Sequence, residues 1–414
     1  MTSPEQISYL EEPLNPYIAE YDLGLRIHSE FETRRWYHQE KNHIIKRADW
    51  RSQRERRNTN IPTNEDIQRQ YGLRRDTRQI PRVVSCRGRD YRNLVENKVI
   101  TESINVVIAY KPTALEAGLG TLPCIFYIHG GGRYGGTPYS GFLERAQVWA
   151  VHLNAIVVSV DYRLSPNESD ESPTGEEPTN DCFDALTWVY YRLGIDDGIL
   201  KYGDRRKLVI FGTSAGGGLA ASTVMKWYQE RREGSDRALG ELRGLILEAP
   251  QLDDRCNTES HKKFKNGNMF TSGDALHGWD VSLGDRRGTE HVSIFEAPSR
   301  AVDVDVQGFP PTYIEVGTAE PFRDEAEDFC RTLCKAKVEV TMNAWEGGFH
   351  GFFSAEPTAL ISRLCSLTKL RWLCRRLGVH DSDIEDEYEE VKEAYDARIE
   401  EQKGQAMADG RESE

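Results

Sequence analysis

No stretch of this 414-residue sequence approaches the roughly 18 consecutive apolar residues that a membrane-spanning helix needs. The first residues, MTSPEQISYLEEPLNPY, lack the basic start and apolar run of a secretory signal, so a reducing, cytoplasmic compartment is expected. Cysteine is sparse, at 8 residues, with no CxxC pair and no Cys/His spacing suited to zinc. A disulfide framework is therefore not indicated and no metal is expected; Cys330 and Cys334, one helical turn apart beside Phe329 and Leu333, read as part of a packed helix face. Positive charge is also in deficit: 53 Lys and Arg against 67 Asp and Glu leave a net charge of −14, which repels nucleic acid and anionic lipid surfaces.

What is present is a soluble globular composition, 38% hydrophobic and 29% charged, unevenly arranged. Residues 51–100 carry a net charge of +7, and residues 381–414 a net charge of −10. The acidic tail has the composition of a solvated helix or disordered end, and the basic stretch reads as a solvated surface. Residues 1–95 are polar, with aromatics at Trp36, Tyr37 and Trp50, and read as a separate, mainly helical piece.

From there apolar, β-branched runs alternate with helical patterns. Strands are predicted at Ile104–Tyr110, Cys124–Ile128, Ala155–Val160, Leu208–Phe211, Gly244–Leu247, Thr312–Val316 and Val338–Ala344. Helices are predicted at Asp181–Leu193, Ala215–Arg232, Pro321–Lys335 and Ala359–Leu377. Such alternation describes one large α/β unit over 96–380 with a mostly parallel sheet, interrupted by an irregular excursion at 252–301 that supplies part of a lid or pocket.

Three segments carry chemistry. The run Leu208–Phe211 enters Gly212-Thr213-Ser214-Ala215-Gly216 and then a helical pattern, which is G-x-S-x-G in its strand, turn, helix context. That turn would raise the Ser214 hydroxyl at a helix N-terminus, where a nucleophile is served. The strand Ile125–Ile128 ends in His129-Gly130-Gly131-Gly132, whose successive glycine amides, with that of Ala215, would form an oxyanion hole. His129 itself reads as structural. Because serine needs a base, and the base an acceptor, His350 in the Gly-flanked loop after Trp345 is the candidate base. The other histidines, including His152, His261 and His277, read as surface residues. Glu320, before Pro321, is the candidate acid, with Asp324 as rival and Asp303 and Asp305 behind it; the order Ser214, Glu320, His350 suits the architecture.

HGGG, the tract Asp161–Pro166, the G-x-S-A-G-G elbow, Phe309–Thr312, Glu320–Glu325 and His350–Phe352 occur in that order and together resemble the hormone-sensitive-lipase-like branch of the α/β-hydrolase superfamily. The resemblance covers about residues 100–377. It implies an eight-stranded sheet flanked by helices, an N-terminal cap, and ester hydrolysis without a cofactor, with Ser214, His350 and Glu320 as triad, Gly131, Gly132 and Ala215 as oxyanion donors and Gly130 serving the turn. Thr213 stands where the family usually has Asp before the serine, the acid is Glu instead of the usual Asp, and the N-terminal piece exceeds the family's usual cap. The expected substrate is a small or medium hydrophobic ester, and a natural-product tailoring step in secondary metabolism would fit the long N-terminal piece. The alternatives are an acyltransferase, a cyclisation or dehydration catalyst, or a non-catalytic receptor such as the gibberellin receptors, which resemble the same branch but lack the catalytic histidine. A homodimer is left open.

Overall fold

The computed structural model describes residues 61–82, 103–195, 198–234, 239–265 and 270–408, without the side chains of 81 and 402–408. Among the described residues eight strands form one sheet: β1 (Arg74–Pro81), β2 (Ser103–Tyr110), β3 (Leu122–Ile128), β4 (Ile156–Asp161), β5 (Gly203–Thr213), β6 (Gly244–Glu248), β7 (Thr312–Gly317) and β8 (Val340–Trp345). Their spatial order is β1-β2-β4-β3-β5-β6-β7-β8, antiparallel across the first three and parallel from β4 to β8. All seven predicted strands are present.

The apolar runs are continuous because both faces of the sheet are covered. Phe126, Val158, Ile210, Leu245 and Ile314 face one layer, packed against α3 (Glu177–Arg192), α4 (Ala215–Arg232) and α7 (Arg323–Lys335). Ile125, Val157, Val209, Phe211, Ile246 and Tyr313 face the other, packed against α2 (Phe142–His152), α9 (Leu360–Leu377) and α10 (Ser382–Ala408).

Two boundaries differ from those expected. Within the segment assigned to a separate helical cap, α1 (Asn64–Tyr71) leads into β1, which pairs with β2 from Arg74↔Tyr110 to Pro81↔Ser103. Residues 61–82 are thus part of the catalytic sheet layer. Their strand reads RRDTRQIP, and an edge strand with little buried surface needs no apolar run, so backbone pairing places it and a salt bridge from Arg82 to Asp181 (2.8 Å) fastens its end. The remainder of the expected cap, 1–60 and 83–95, lies outside the described residues. The acidic tail, in turn, is a docked helix: α10 buries Ile384 and Val391 against α9, and Arg371 pairs with its Glu385 at 2.6 Å.

The excursion after β6 holds α5 (Glu259–Lys263) and α6 (Ser272–Leu283), with Trp279, Leu283, Val292 and Ala297 as a small core of its own. A four-residue helix, α8 (Phe352–Ala355), follows β8. Among the described residues no helix is long and apolar enough to cross a membrane.

Candidate active site

The C-terminal ends of β3, β5, β7 and β8 lie along one edge of the sheet, and each releases one of the loops singled out above. Between β5 and α4 the chain turns at Ser214 with φ 56° and ψ −122°, a conformation a residue bearing a Cβ rarely adopts. It is held there by the Ser214 amide donating to the Glu248 carbonyl at 2.8 Å and by the Gly217 amide donating back to the Ser214 carbonyl at 2.9 Å. The turn closes only because residue 216 is glycine: a Cβ there would lie 2.1 Å from the Ile128 carbonyl oxygen of β3.

His350 and Glu320 arrive on adjacent loops stitched to each other. The Ala319 amide donates to the Gly348 carbonyl (2.9 Å), and the Gly347 amide to the Thr318 hydroxyl (2.8 Å). His350 Nδ1 lies 2.5 Å from Glu320 Oε2, and its Nε2 lies 3.0 Å from Ser214 Oγ. With the proton on Nδ1 donated to the carboxylate, Nε2 is free to accept from the serine hydroxyl. The other Glu320 oxygen accepts from the Gly317 amide at 2.8 Å, and the carboxylate is only 1% exposed. Phe270 and Phe322 flank the imidazole, with ring centres 4.7 and 5.1 Å away.

The rival acid points elsewhere. Asp324 accepts from the Ser260 amide at 2.7 Å and pairs with Arg323, tying α5 to the start of α7. Asp305 accepts from the Val302 amide in a surface turn.

The HGGG loop lines the same cavity of about 430 Å³ as Ser214 and His350. Gly131 has φ 124°, and a Cβ on it would meet the Gly135 carbonyl at 2.2 Å, so only glycine permits this turn. Ala215 is the first residue of α4, where an amide has no acceptor within the helix. His129 is structural as expected: it is fully buried, stacked on Tyr162, and its Nδ1 donates to the Gly130 carbonyl at 2.7 Å.

Two buried clusters around the site escaped the sequence reading. Below the elbow, Glu248 accepts from the Thr213 hydroxyl at 2.9 Å and forms salt bridges with Arg145 of α2 and Lys369 of α9, while Lys369 also pairs with Glu315 of β7. Burial alone would raise the Glu248 carboxyl, but Arg145 and Lys369 outweigh it and hold it well below the usual carboxylate range. Glu315, with Lys369 as its cationic partner and Glu248 as a like-charged neighbour, is raised by its burial. A charged residue on the buried side of an apolar helix, as in Leu367-Thr368-Lys369-Leu370, was the available signal.

The second cluster corrects an expectation. His261, assigned to the surface, is 2% exposed, and its Nε2 lies 2.9 Å from Glu325 of α7. Its Nδ1 lies 3.2 Å from the Ser272 hydroxyl, which itself donates to the His261 carbonyl. Burial pushes the Glu325 carboxyl up to about 7. The residues of α5 give no apolar pattern, so the burial of His261 could not be read from the chain. Among the described residues no three His, Cys, Asp or Glu side chains are gathered as a metal ion would require.

Comparison with known proteins agrees with this fold. Residues 125–354, more than half the chain, match the family described as the alpha/beta hydrolase fold. Arylacetamide deacetylase of Oryctolagus cuniculus is 28% identical over 284 residues, spanning 56% of this chain and 68% of that protein. A 3-O-acetylpapaveroxine carboxylesterase of Papaver somniferum is 30% identical over 250 residues, 57% of this chain and 73% of that one. Among solved structures, a bacterial heroin esterase superposes with a TM-score of 0.63 at 25% identity, covering 84% of this chain and 99% of its own. The chain therefore belongs to the α/β-hydrolase fold family, in its hormone-sensitive-lipase-like, carboxylesterase branch.

Proposed function

We propose that this protein hydrolyses carboxylic esters through a covalent acyl-enzyme on Ser214, with His350 as general base and Glu320 as its orienting acid. The observation that carries the reading is the unbroken line from Ser214 Oγ to His350 Nε2 (3.0 Å) and from His350 Nδ1 to Glu320 Oε2 (2.5 Å). In the first half-reaction the serine oxygen attacks the ester carbonyl while its proton passes to Nε2. The amides of Gly131, Gly132 and Ala215 receive the tetrahedral oxyanion, each such donor contributing on the order of 10²–10³ in rate. Protonated His350 then delivers its proton to the departing alcohol, and water repeats the sequence on the acyl-enzyme. No step calls for a cofactor.

A cavity of about 430 Å³ suits a small or medium ester. The flanking Phe270 and Phe353 favour an apolar body. A tailoring role on a natural product draws its support from the relative named a 3-O-acetylpapaveroxine carboxylesterase. A binding-only receptor has no use for an imidazole poised between serine and carboxylate, whereas an acyltransferase would use the same first half-reaction and differ only in the acceptor.

A fluorophosphonate should label Ser214, and Ser214→Ala should abolish labelling and lower turnover of p-nitrophenyl esters by about 10⁴ or more, with an unchanged thermal midpoint. Full turnover in the variant would refute the assignment. Product analysis with and without an added alcohol separates hydrolysis from acyl transfer.

A further inference from the structure

We infer that Arg145 is the acyl-recognition residue of this pocket, and that the preferred substrates are esters whose acyl chain ends in a carboxylate. The inference rests on the hydrolase reading of Ser214 and names its substrate class.

Arg145 projects from α2 into the cavity that holds Ser214 and His350. Its guanidinium is fixed in place: one nitrogen donates to the Gly141 carbonyl at 2.8 Å, another forms the salt bridge with Glu248. The rings of Tyr127, Phe211 and Phe353 surround it at 5.5–5.7 Å. A guanidinium has five N–H donors in a rigid fork. Among the described residues the Gly141 carbonyl and the Glu248 carboxylate are its hydrogen-bond partners, leaving donors for a ligand in the cavity. A cation already ordered by its neighbours loses little side-chain freedom when it binds, and a carboxylate is the group its fork geometry matches best.

The surrounding charges point the same way. The cluster sets two cations, Arg145 and Lys369, against the carboxylates of Glu248 and Glu315, and of its two cations Arg145 is the one that lines the cavity. The acidic side chain on the cavity wall, Asp274, is engaged in capping its own helix, accepting from the Thr271 amide and hydroxyl at 2.8 Å each. The position also favours the acyl side. Thr213, the neighbour of Ser214, donates to the same Glu248 oxygen that Arg145 grips, so one carboxylate ties the guanidinium to the residue beside the nucleophile, to which the acyl group stays attached through both half-reactions.

The test compares kcat/KM for p-nitrophenyl pentanoate with those for p-nitrophenyl hemiglutarate and hemiadipate, after subtraction of the enzyme-free rate. The native enzyme should favour an acidic ester over the neutral one by at least about tenfold. Arg145→Gln should lose that ratio, and so should Arg145→Gln/Glu248→Gln, in which no buried carboxylate is left unpaired. Preference for the pentanoate over both hemiesters in the native enzyme, or a ratio that survives in both variants, would overturn the assignment of Arg145 while leaving the esterase reading intact. Failure of a fluorophosphonate to label Ser214 would remove the esterase reading and this inference with it.

Discussion

Ser214 sits in backbone geometry that costs about 1–3 kcal/mol, and the surrounding chain over-determines it through the Glu248 carbonyl and the packing of Gly216 on Ile128. That strain exposes a hydroxyl at a helix start and puts it 3.0 Å from His350. In the proposed triad the Glu320 carboxylate holds the proton on Nδ1, so Glu320→Gln, whose amide can present its NH₂ to that nitrogen, should favour the wrong tautomer. Turnover is expected to fall by about 10³–10⁴ with KM little changed, as read from steady-state kinetics at neutral pH. Both residues were legible because their neighbours are: glycine at 212 and 216, and Pro321 opening a helix after a strand. Loop position favours Glu320 over Asp324 as the proposed acid, and the contacts of Asp324 support that proposal. Asp324 is one helical turn further on and faces the Ser260 amide instead of the imidazole.

At the scale of elements, two buried charge clusters join the pieces that carry the site. Lys369 links α9 to β6 and β7 through Glu248 and Glu315, which are paired residues on neighbouring strands. Lys369→Met would leave two carboxylates side by side with their shared cation removed. Destabilisation by roughly 3–5 kcal/mol is expected in urea unfolding, and restoring neutrality with Glu315→Gln should recover part of it.

The other cluster fastens α5 and α6 to α7. Glu325 titrates near 7 because burial raises it, so the folded protein retains that proton where the unfolded chain has released it. The stabilisation from this group is complete below the ordinary carboxylate range and is lost as pH rises through about 7. Between about pH 4.5 and 7 the native protein should therefore lose stability from this group, by at most about 3 kcal/mol, and Glu325→Gln should flatten that part of a plot of unfolding free energy against pH. A flat native profile across the same window would contradict the assignment.

Over the whole molecule the acidic tail proves to be a structural layer. Its 27-residue helix α10 places Ile384 and Val391, each 1% exposed, against α9, while its acidic face pairs with Arg363 and Arg371. Ile384→Ala with Val391→Ala should destabilise the protein by several kcal/mol, at about 2–5 for the isoleucine, and lower the thermal midpoint without altering the active-site geometry. Charge-only removal at Glu385 and Glu387 should do much less, since exposed pairs contribute about 0–1 kcal/mol.

Local pattern was enough to assign the parallel strands and to propose the elbow and the three site residues. Strands buried on both faces must be apolar throughout, and strained turns must be glycine-flanked, so these features are written in neighbouring residues. What local pattern could not supply was anything held by distant partners. The strand β1 is polar and exists through its backbone bonds to β2. The helix α10 shows an apolar seam too thin to separate docking from solvation. Glu248, Lys369, Arg145, His261 and Glu325 look like ordinary surface charges until folding brings together residues more than 60 positions apart and excludes water from them. Burial is a property of the assembled layers, and with it come the shifted acidities, the fixed guanidinium and the shape of the pocket.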